Sequence, residues 1–91
     1  SGPLSGNRYA LDPGQESVLG RDAACSIRVV DPEVSWRHCA IKPEKDQYVL
    51  LDLRSGGGTY VNGFRVTRHL LEANDQVQIG DTVLLFRDAA S

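Results

Sequence analysis

The sequence predicts an all-β domain, and three observations lead to this prediction. No window of 11 residues keeps a 3.6-residue apolar period, so we expect no substantial helix. Short segments rich in β-branched and aromatic residues alternate with turn residues along the whole chain. Asn62-Gly63 lies between two such segments, and this dipeptide is a strong hairpin signal because a type I′ turn needs positive φ at both positions. These patterns favour a sandwich or a barrel and do not choose between them.

The predicted strands of the first half are short, and each ends at a turn. Residues 8–11 end at Asp12-Pro13-Gly14, residues 17–19 end at Gly20, and residues 27–30 end at Asp31-Pro32. Proline lacks the N–H that a central strand donates, so the third strand is not expected to pass Pro32. Residues 38–42 alternate and lead into a polar turn at 43–46. Residues 47–53 follow as the longest strand candidate.

The second half repeats this arrangement. Residues 59–61 and 64–66 flank Asn62-Gly63, and residues 70–72 lead into a turn at Asn74-Asp75. Residues 76–79 alternate cleanly between polar and apolar side chains. Gly80-Asp81 then turns the chain into a last predicted strand at 82–86.

Composition limits the classes of function. A chain of 91 residues with 41% apolar residues is enough for one small core. The net charge of −2 and the pI near 5.5 argue against a general nucleic-acid binder. No apolar run approaches the ~18–20 residues of a membrane span, and no signal peptide is present. We therefore expect a cytoplasmic, monomeric domain of a larger protein, without membrane insertion.

Two cysteines are too few for the disulfide framework of a small secreted domain. Cys39 falls in a predicted strand and is interpreted as a buried free thiol, with a Cys25–Cys39 bridge as an open alternative. A zinc site that uses these cysteines with His38 and His69 is disfavoured, because no pair has the usual ligand spacing. We expect no metal and no cofactor.

Three motifs in one order carry a family resemblance. They are Gly20-Arg21, Ser35-Trp36-Arg37-His38 and Asn62-Gly63, with alternating strands between them. Together they resemble the forkhead-associated (FHA) domain, and the resemblance covers about residues 8–87. It implies a β-sandwich of two antiparallel sheets that reads phosphothreonine in a partner protein. We expect residues 8–88 to form the domain, residues 1–7 a flexible segment or truncated strand, and residues 89–91 a tail.

The resemblance also implies roles for single residues. Arg21 would contact the phosphate or the peptide backbone, and Ser35 would donate its hydroxyl and amide to the phosphate. His38 would brace the binding loops from beneath. The sequence prediction places the following residues in the site or its support: Arg21, Ser35, Trp36, Arg37, Gly56, Gly57 and Asn62 as binding residues, and Gly20, His38 and Gly63 as supports of the loops.

Several of these assignments leave alternatives open. Arg21 would otherwise be a solvated loop cation, and Ser35 would otherwise cap a turn after Pro32. Trp36 occupies a family contact position, where it would either stack on the peptide or pack over the base of the loop. Arg37 offers a replacement charge beside it. Asn62 is expected to act chiefly as a turn residue.

The segment Ser55-Gly56-Gly57-Gly58-Thr59 departs from the family pattern Ser-Thr-Asn-Gly-Thr. The family threonine at position 56 bonds the phosphate, and the family asparagine at position 57 bonds the ligand backbone. Both side chains are absent. Either the glycines form a nest of amides that binds the anion, or the domain binds partners without phosphate.

We predict a phosphothreonine-dependent interaction domain. The alternative is a divergent scaffold domain that binds independently of phosphate, similar to FHA-like domains of bacterial secretion machinery. Catalysis is disfavoured because the chain has no G-x-S-x-G elbow and no Walker loop.

Overall fold

The computed structural model describes residue 11 and residues 14–87, and the described residues form two β-sheets. One sheet has five strands in the order β2-β1-β3-β4-β7, and the other has four in the order β6-β5-β8-β9. The predicted all-β sandwich is confirmed. The strands are β1 Ser17–Gly20, β2 Ile27–Arg28, β3 Cys39–Glu44, β4 Gln47–Asp52, β5 Thr59–Val61, β6 Phe64–Val66, β7 Arg68–Leu70, β8 Gln76–Ile79 and β9 Thr82–Leu85.

One strand pair differs from the two purely antiparallel sheets that the resemblance implied. β1 and β2 run parallel, with Leu19 opposite Ile27 and Gly20 opposite Arg28. The chain between them folds back at Asp22, whose Oδ1 accepts the Ala24 N–H and whose carbonyl accepts the Cys25 N–H. This tight turn lets a two-residue strand lie alongside β1 in the same direction. The remaining pairs of the described strands are antiparallel.

Two strands end two residues away from the predicted position, and one strand was not predicted. β2 ends at Arg28 rather than at residue 30. β3 continues through Pro43, which is tolerated because β1 pairs with β3 only as far as Ile41, so no strand of the described chain needs the missing N–H on that side. β7 was not predicted, because its three residues show no apolar alternation. The strand predicted at residues 8–11 lies outside the described residues except for Leu11, which is not in a strand.

The core lies between the two sheets. Leu19 and Leu50 of the first sheet pack with Val77 and Ile79 of the second in one buried cluster. Cys39 belongs to the same cluster as a free thiol, as predicted, and burial raises its pKa to about 12. Cys25 is also a free thiol, so the two are not bridged. No helix among the described residues has the length and apolar character needed to cross a membrane.

Candidate functional site

The first loop of the candidate site is fixed by a close backbone approach at Gly20. A Cβ on this residue would lie 2.1 Å from the carbonyl oxygen of Trp36, so only glycine fits there. Beside it, the Arg21 N–H donates to the Ser35 carbonyl at 3.1 Å, and the Asp22 N–H donates to the Trp36 carbonyl at 3.1 Å. These contacts tie the loop after β1 to the loop before β3, and Gly20 lies where the two backbones meet.

The side chain of Arg21 lies over the exposed face of this junction. Its guanidinium carbon is 5.1 Å from the centre of the Trp36 ring, a cation–π arrangement. Its Nε is buried and has no hydrogen-bond partner in the described part of the chain, where the guanidinium also forms no ion pair. The ring therefore lies against a positive charge that forms no direct ion pair in the described chain, although the charge of Arg21 helps to lower the pKa of Asp31 after the hydrogen bonds from Glu33, Thr82 and Asp81.

His38 connects the loops from below. The Ser35 N–H donates to His38 Nδ1 at 3.1 Å, so the ring hydrogen is assigned to Nε2, which donates to the Gly58 carbonyl at 2.7 Å. The imidazole is fully buried. It thus joins the Ser35 loop to the glycine loop of residues 55–58.

Ser35 joins the same two loops from above. Its Oγ accepts the Gly56 N–H at 3.2 Å. A hydroxyl that accepts one hydrogen bond still has its own hydrogen to donate. Ser35 therefore lies beside the glycine loop, and its hydroxyl hydrogen is available for a hydrogen bond to a phosphate.

Asp52 organises the glycine loop, and sequence reasoning missed it. Its carboxylate accepts the Ser55 N–H at 3.2 Å, the Ser55 hydroxyl at 2.5 Å and the Thr59 hydroxyl at 2.7 Å. Burial is the largest single influence and raises the pKa of Asp52, but the hydrogen bonds from Ser55 and Thr59 together hold it below its usual value. The signal available in the sequence was the pair of hydroxyl residues that flank the glycines, because buried hydroxyls need an acceptor nearby.

The three glycines have different structural requirements. A Cβ on Gly56 would meet nothing within 4 Å, and a Cβ on Gly57 would be 3.8 Å from the Glu33 carbonyl oxygen. Gly58 has a φ of +87°, and a Cβ there would be 2.8 Å from Nε of Arg65. Only Gly58 must be glycine, so the absence of side chains at positions 56 and 57 is not imposed by the backbone.

Most backbone amides of these glycines are already hydrogen-bonded, which limits the nest of anion-binding amides that the sequence analysis considered. The Gly56 N–H is used by Ser35 Oγ and the Gly58 N–H by Ser55 Oγ at 3.0 Å. The Gly57 N–H donates to no group in the described chain. The loop thus offers one unused amide, not the three that a full nest would supply.

Trp36 and Arg37 face solvent next to this junction. Trp36 is 62% exposed, which excludes a buried packing role and agrees with the ligand-facing alternative. Arg37 is exposed and, with Asp22 and Cys25, lines a shallow cavity of about 100 Å³. Its predicted role as a replacement charge remains a prediction.

Asn62 and Gly63 lie away from these loops. Their φ values of 52° and 89° confirm the predicted turn. The Asn62 side chain donates to Asp75 and accepts the Gln76 N–H, at the end of β5 opposite Thr59. The structure therefore does not bring Asn62 to Arg21, Ser35 and the glycine loop, nor Gly63 to a position beneath them. The binding role predicted for Asn62 and the supporting role predicted for Gly63 remain predictions.

Comparison with known proteins identifies the family. Residues 17–80 match the model of the FHA domain. The chain belongs to the FHA domain family. It is 36% identical over 85 residues to an oxoglutarate dehydrogenase inhibitor of Corynebacterium jeikeium, an alignment that covers 93% of this chain and 58% of that protein. It is 38% identical to the glycogen accumulation regulator GarA of Mycobacterium tuberculosis, over 93% of this chain and 52% of GarA.

A solved structure is also similar. It is that of Mycobacterium tuberculosis EmbR in complex with a low-affinity phosphopeptide, with a TM-score of 0.87 and 29% identity over 92% of this chain and 22% of EmbR. The chain spans about half the length of the curated relatives described above. Those relatives are named as an inhibitor and a regulator, which agrees with an interaction domain.

Proposed function

We propose that this domain binds phosphothreonine in a partner protein, through the loop end that carries Arg21, Ser35 and the glycine loop. The observation that supports this most is the locked pair of Arg21 and Ser35. Their backbones are hydrogen-bonded to each other, while the Arg21 guanidinium has no ion pair in the described chain and the Ser35 hydroxyl keeps a donor.

The chemistry of these groups matches a phosphate. Phosphothreonine presents about two negative charges and three strong acceptor oxygens at neutral pH. Arg21 supplies a cation, Ser35 supplies a hydroxyl, and Gly57 supplies an unused amide. Charge-assisted hydrogen bonds of this kind are the strong ones. Because the donors are pre-arranged by His38 and Asp52, a ligand loses little energy in ordering them.

The affinity is expected to be modest. Positions 56 and 57 offer no side chains, so two contacts that the family uses are missing. We expect a dissociation constant in the micromolar range or weaker, which corresponds to about −8 kcal/mol or less favourable.

The second candidate is phosphate-independent binding of a partner. The open, unfilled space at Gly56 and Gly57 favours it, because that space is where the family's ligand contacts would stand. In this case Arg21 is a solvated loop cation held by Trp36 and has no ligand role.

The proposal assigns the domain a recognition role and no catalytic one. The names of its relatives, an inhibitor and a regulator, support this role. Oxoglutarate dehydrogenase and glycogen belong to intracellular metabolism, which supports a cytoplasmic location. We also propose that the domain acts within a longer protein, because the chain covers about half the length of these relatives.

A phosphopeptide library screen followed by calorimetry tests the proposed function. A library with phosphothreonine fixed at its centre gives the preferred peptide, and the same peptide is then titrated with and without its phosphate. We expect binding only with the phosphate. Equal binding of both forms would replace the proposal with the phosphate-independent candidate.

A further inference from the structure

We propose that Arg65 is a second cationic ligand-binding residue, which contacts an anionic group of the bound phosphopeptide beside the glycine loop. This inference rests on the proposed function. Arg65 lies in β6, outside the three motifs of the sequence analysis.

The guanidinium of Arg65 lies beside Gly58 of the loop. A Cβ on Gly58 would be 2.8 Å from Nε, 3.1 Å from Cζ and 3.3 Å from a terminal nitrogen of Arg65. The head group therefore occupies the space that a side chain at position 58 would need. Although Arg65 is exposed, this contact positions its charge next to the candidate site.

The charge of Arg65 has no partner within the described chain. Its guanidinium forms no ion pair there. By contrast, Arg68, which follows three residues later in β7, is paired with Glu44 at 3.7 Å. Arg65 also donates no side-chain hydrogen bond to the described residues, and it makes no cation–π contact with them. An arginine whose planar fork is positioned and unpaired suits recognition of a carboxylate or phosphate.

The loop geometry places Arg65 within reach of a ligand anchored at Ser35. Gly58 is two residues from Gly56, whose N–H donates to Ser35 Oγ, and two residues span at most about 7 Å. Successive residues of an extended peptide are about 3.3 Å apart. A peptide whose phosphate lies at Ser35 therefore brings either that phosphate or the side chain of a residue nearby in its sequence to Arg65.

The experiment compares Arg65→Ala, Arg65→Lys and Arg68→Ala with the wild type. Arg68→Ala is the matched control, because it removes the same charge from an exposed position whose head group lies at Glu44, far from the loops. Calorimetry uses three nine-residue peptides: phosphothreonine flanked by alanines, phosphothreonine flanked by glutamates, and the glutamate peptide with unmodified threonine. Melting curves check that each variant is folded.

We expect Arg65→Ala to raise the dissociation constant for the glutamate-flanked phosphopeptide by about 5- to 20-fold, as for loss of a charge-assisted contact. Arg65→Lys should recover part of this loss, since it keeps the charge without the planar fork. Arg68→Ala should stay within about twofold of the wild type, because distant exposed charges are screened. The melting temperatures should change little.

The two phosphopeptides distinguish the source of the anion. If Arg65→Ala loses the same affinity for both phosphopeptides, Arg65 contacts the phosphate. If it loses affinity only for the glutamate-flanked peptide, Arg65 contacts a neighbouring carboxylate. The inference is overturned if Arg65→Ala behaves like Arg68→Ala with both peptides while the wild type still requires phosphate. If the wild type shows no phosphate requirement, the proposed function fails and the inference fails with it.

Discussion

Each end of the sandwich is organised by a hydrogen-bonded carboxylate, the half-buried Asp52 at one end and the buried Asp75 at the other. At the candidate site, Asp52 accepts hydrogen bonds from Ser55 and Thr59. At the opposite end, Asp75 accepts them from Asn62, the Glu72 N–H and His69. In both places a carboxylate replaces its water with protein donors, which is the usual condition for burying a charge.

The ends differ in what surrounds these carboxylates. Near Asp75 the neighbouring side chains are hydrogen-bonded, so that Asn62 bonds both Asp75 and the Gln76 N–H, and His69 Nε2 lies 3.1 Å from the Asp75 carboxylate. Near Asp52, by contrast, the Arg21 guanidinium forms no hydrogen bond or ion pair in the described chain, and the Gly57 N–H donates to no group there. A hydrogen-bonded carboxylate is therefore part of the framework at both ends, and the unused donors distinguish the end that can bind an anion.

Acid is expected to weaken both ends together, and this is the largest effect. The pKa of Asp31 is lowered chiefly by its hydrogen bond from the Glu33 N–H, and hydrogen bonds lower those of Asp52 and Asp75 against the opposing effect of burial. Carboxylates with a lowered folded pKa contribute stability that is fully present above their ordinary value of 3.8 and is lost as pH falls below it toward the folded value. Urea denaturation from pH 7 to pH 2.5 measures this.

The control for the acid prediction is Asp75→Asn. It removes one titrating group, so the free energy of unfolding should fall less steeply below pH 4 than in the wild type. A wild-type stability that stays constant down to pH 3 would contradict the prediction.

Removing either carboxylate should cost similar stability but have different effects on binding. Asp52→Ala and Asp75→Ala each leave buried donors without an acceptor, at a cost of about 2–4 kcal/mol in the free energy of unfolding. Only Asp52→Ala releases the glycine loop, so only this variant should also lose phosphopeptide affinity in its folded fraction. Chemical denaturation and calorimetry at low temperature measure the two quantities. Equal loss of affinity in both variants would show that the ends are not independent.

Arg21→Ala should remove phosphopeptide binding while the domain stays folded. The loss of its charge-assisted bonds to the phosphate is expected to cost about 1.5–3 kcal/mol. Stability should change by less than about 0.5 kcal/mol, because Arg21 has no ion pair in the described chain to lose. Arg68→Ala serves as the charge-matched control. Wild-type affinity in Arg21→Ala would make Arg21 a loop cation without a ligand role.

Trp36→Ala should weaken binding by about 1–2 kcal/mol and leave stability nearly unchanged, because an exposed aromatic anchor acts mainly at the interface. The ring is 62% exposed and supports the Arg21 guanidinium, so both its own contact and the position of the charge are affected. Trp36 is the only tryptophan, and its fluorescence in the wild type should change on titration. A collapse of the melting temperature with unchanged affinity would contradict this prediction.

Local sequence patterns predicted most of the fold. β5, β6 and β8 have the predicted boundaries because strict alternation and Asn62-Gly63 are strong local signals. β7 was missed because it forms by pairing with β4, and its own residues show no local strand pattern. The parallel pairing of β2 depends on how the loop at Asp22 folds, and that is likewise not local.

The sequence predicted site residues only where they belong to a recognisable motif. Arg21, Ser35 and His38 lie together in the structure. Asp52 and Arg65 were missed, because their importance comes from contacts with Ser55, Thr59 and Gly58 across turns and neighbouring strands. Asn62 was assigned to the site from the order of the motifs, although order along the chain does not determine which end of a strand a residue occupies.

The smallest expected effect concerns Gly57, where the open space allows the missing family contact to be restored. Gly57→Asn should tighten phosphopeptide binding by about 1 kcal/mol, the net contribution of one hydrogen bond to the ligand backbone. The backbone permits this change, since Gly57 has no positive φ and its nearest new neighbour would be the Glu33 carbonyl oxygen at 3.8 Å. Gly57→Ala is the matched control, because it restricts the unfolded and free loop in the same way without adding an amide. An equal gain from alanine would assign the effect to loop stiffening, and no gain from asparagine in a folded protein would mean that the ligand does not cross position 57.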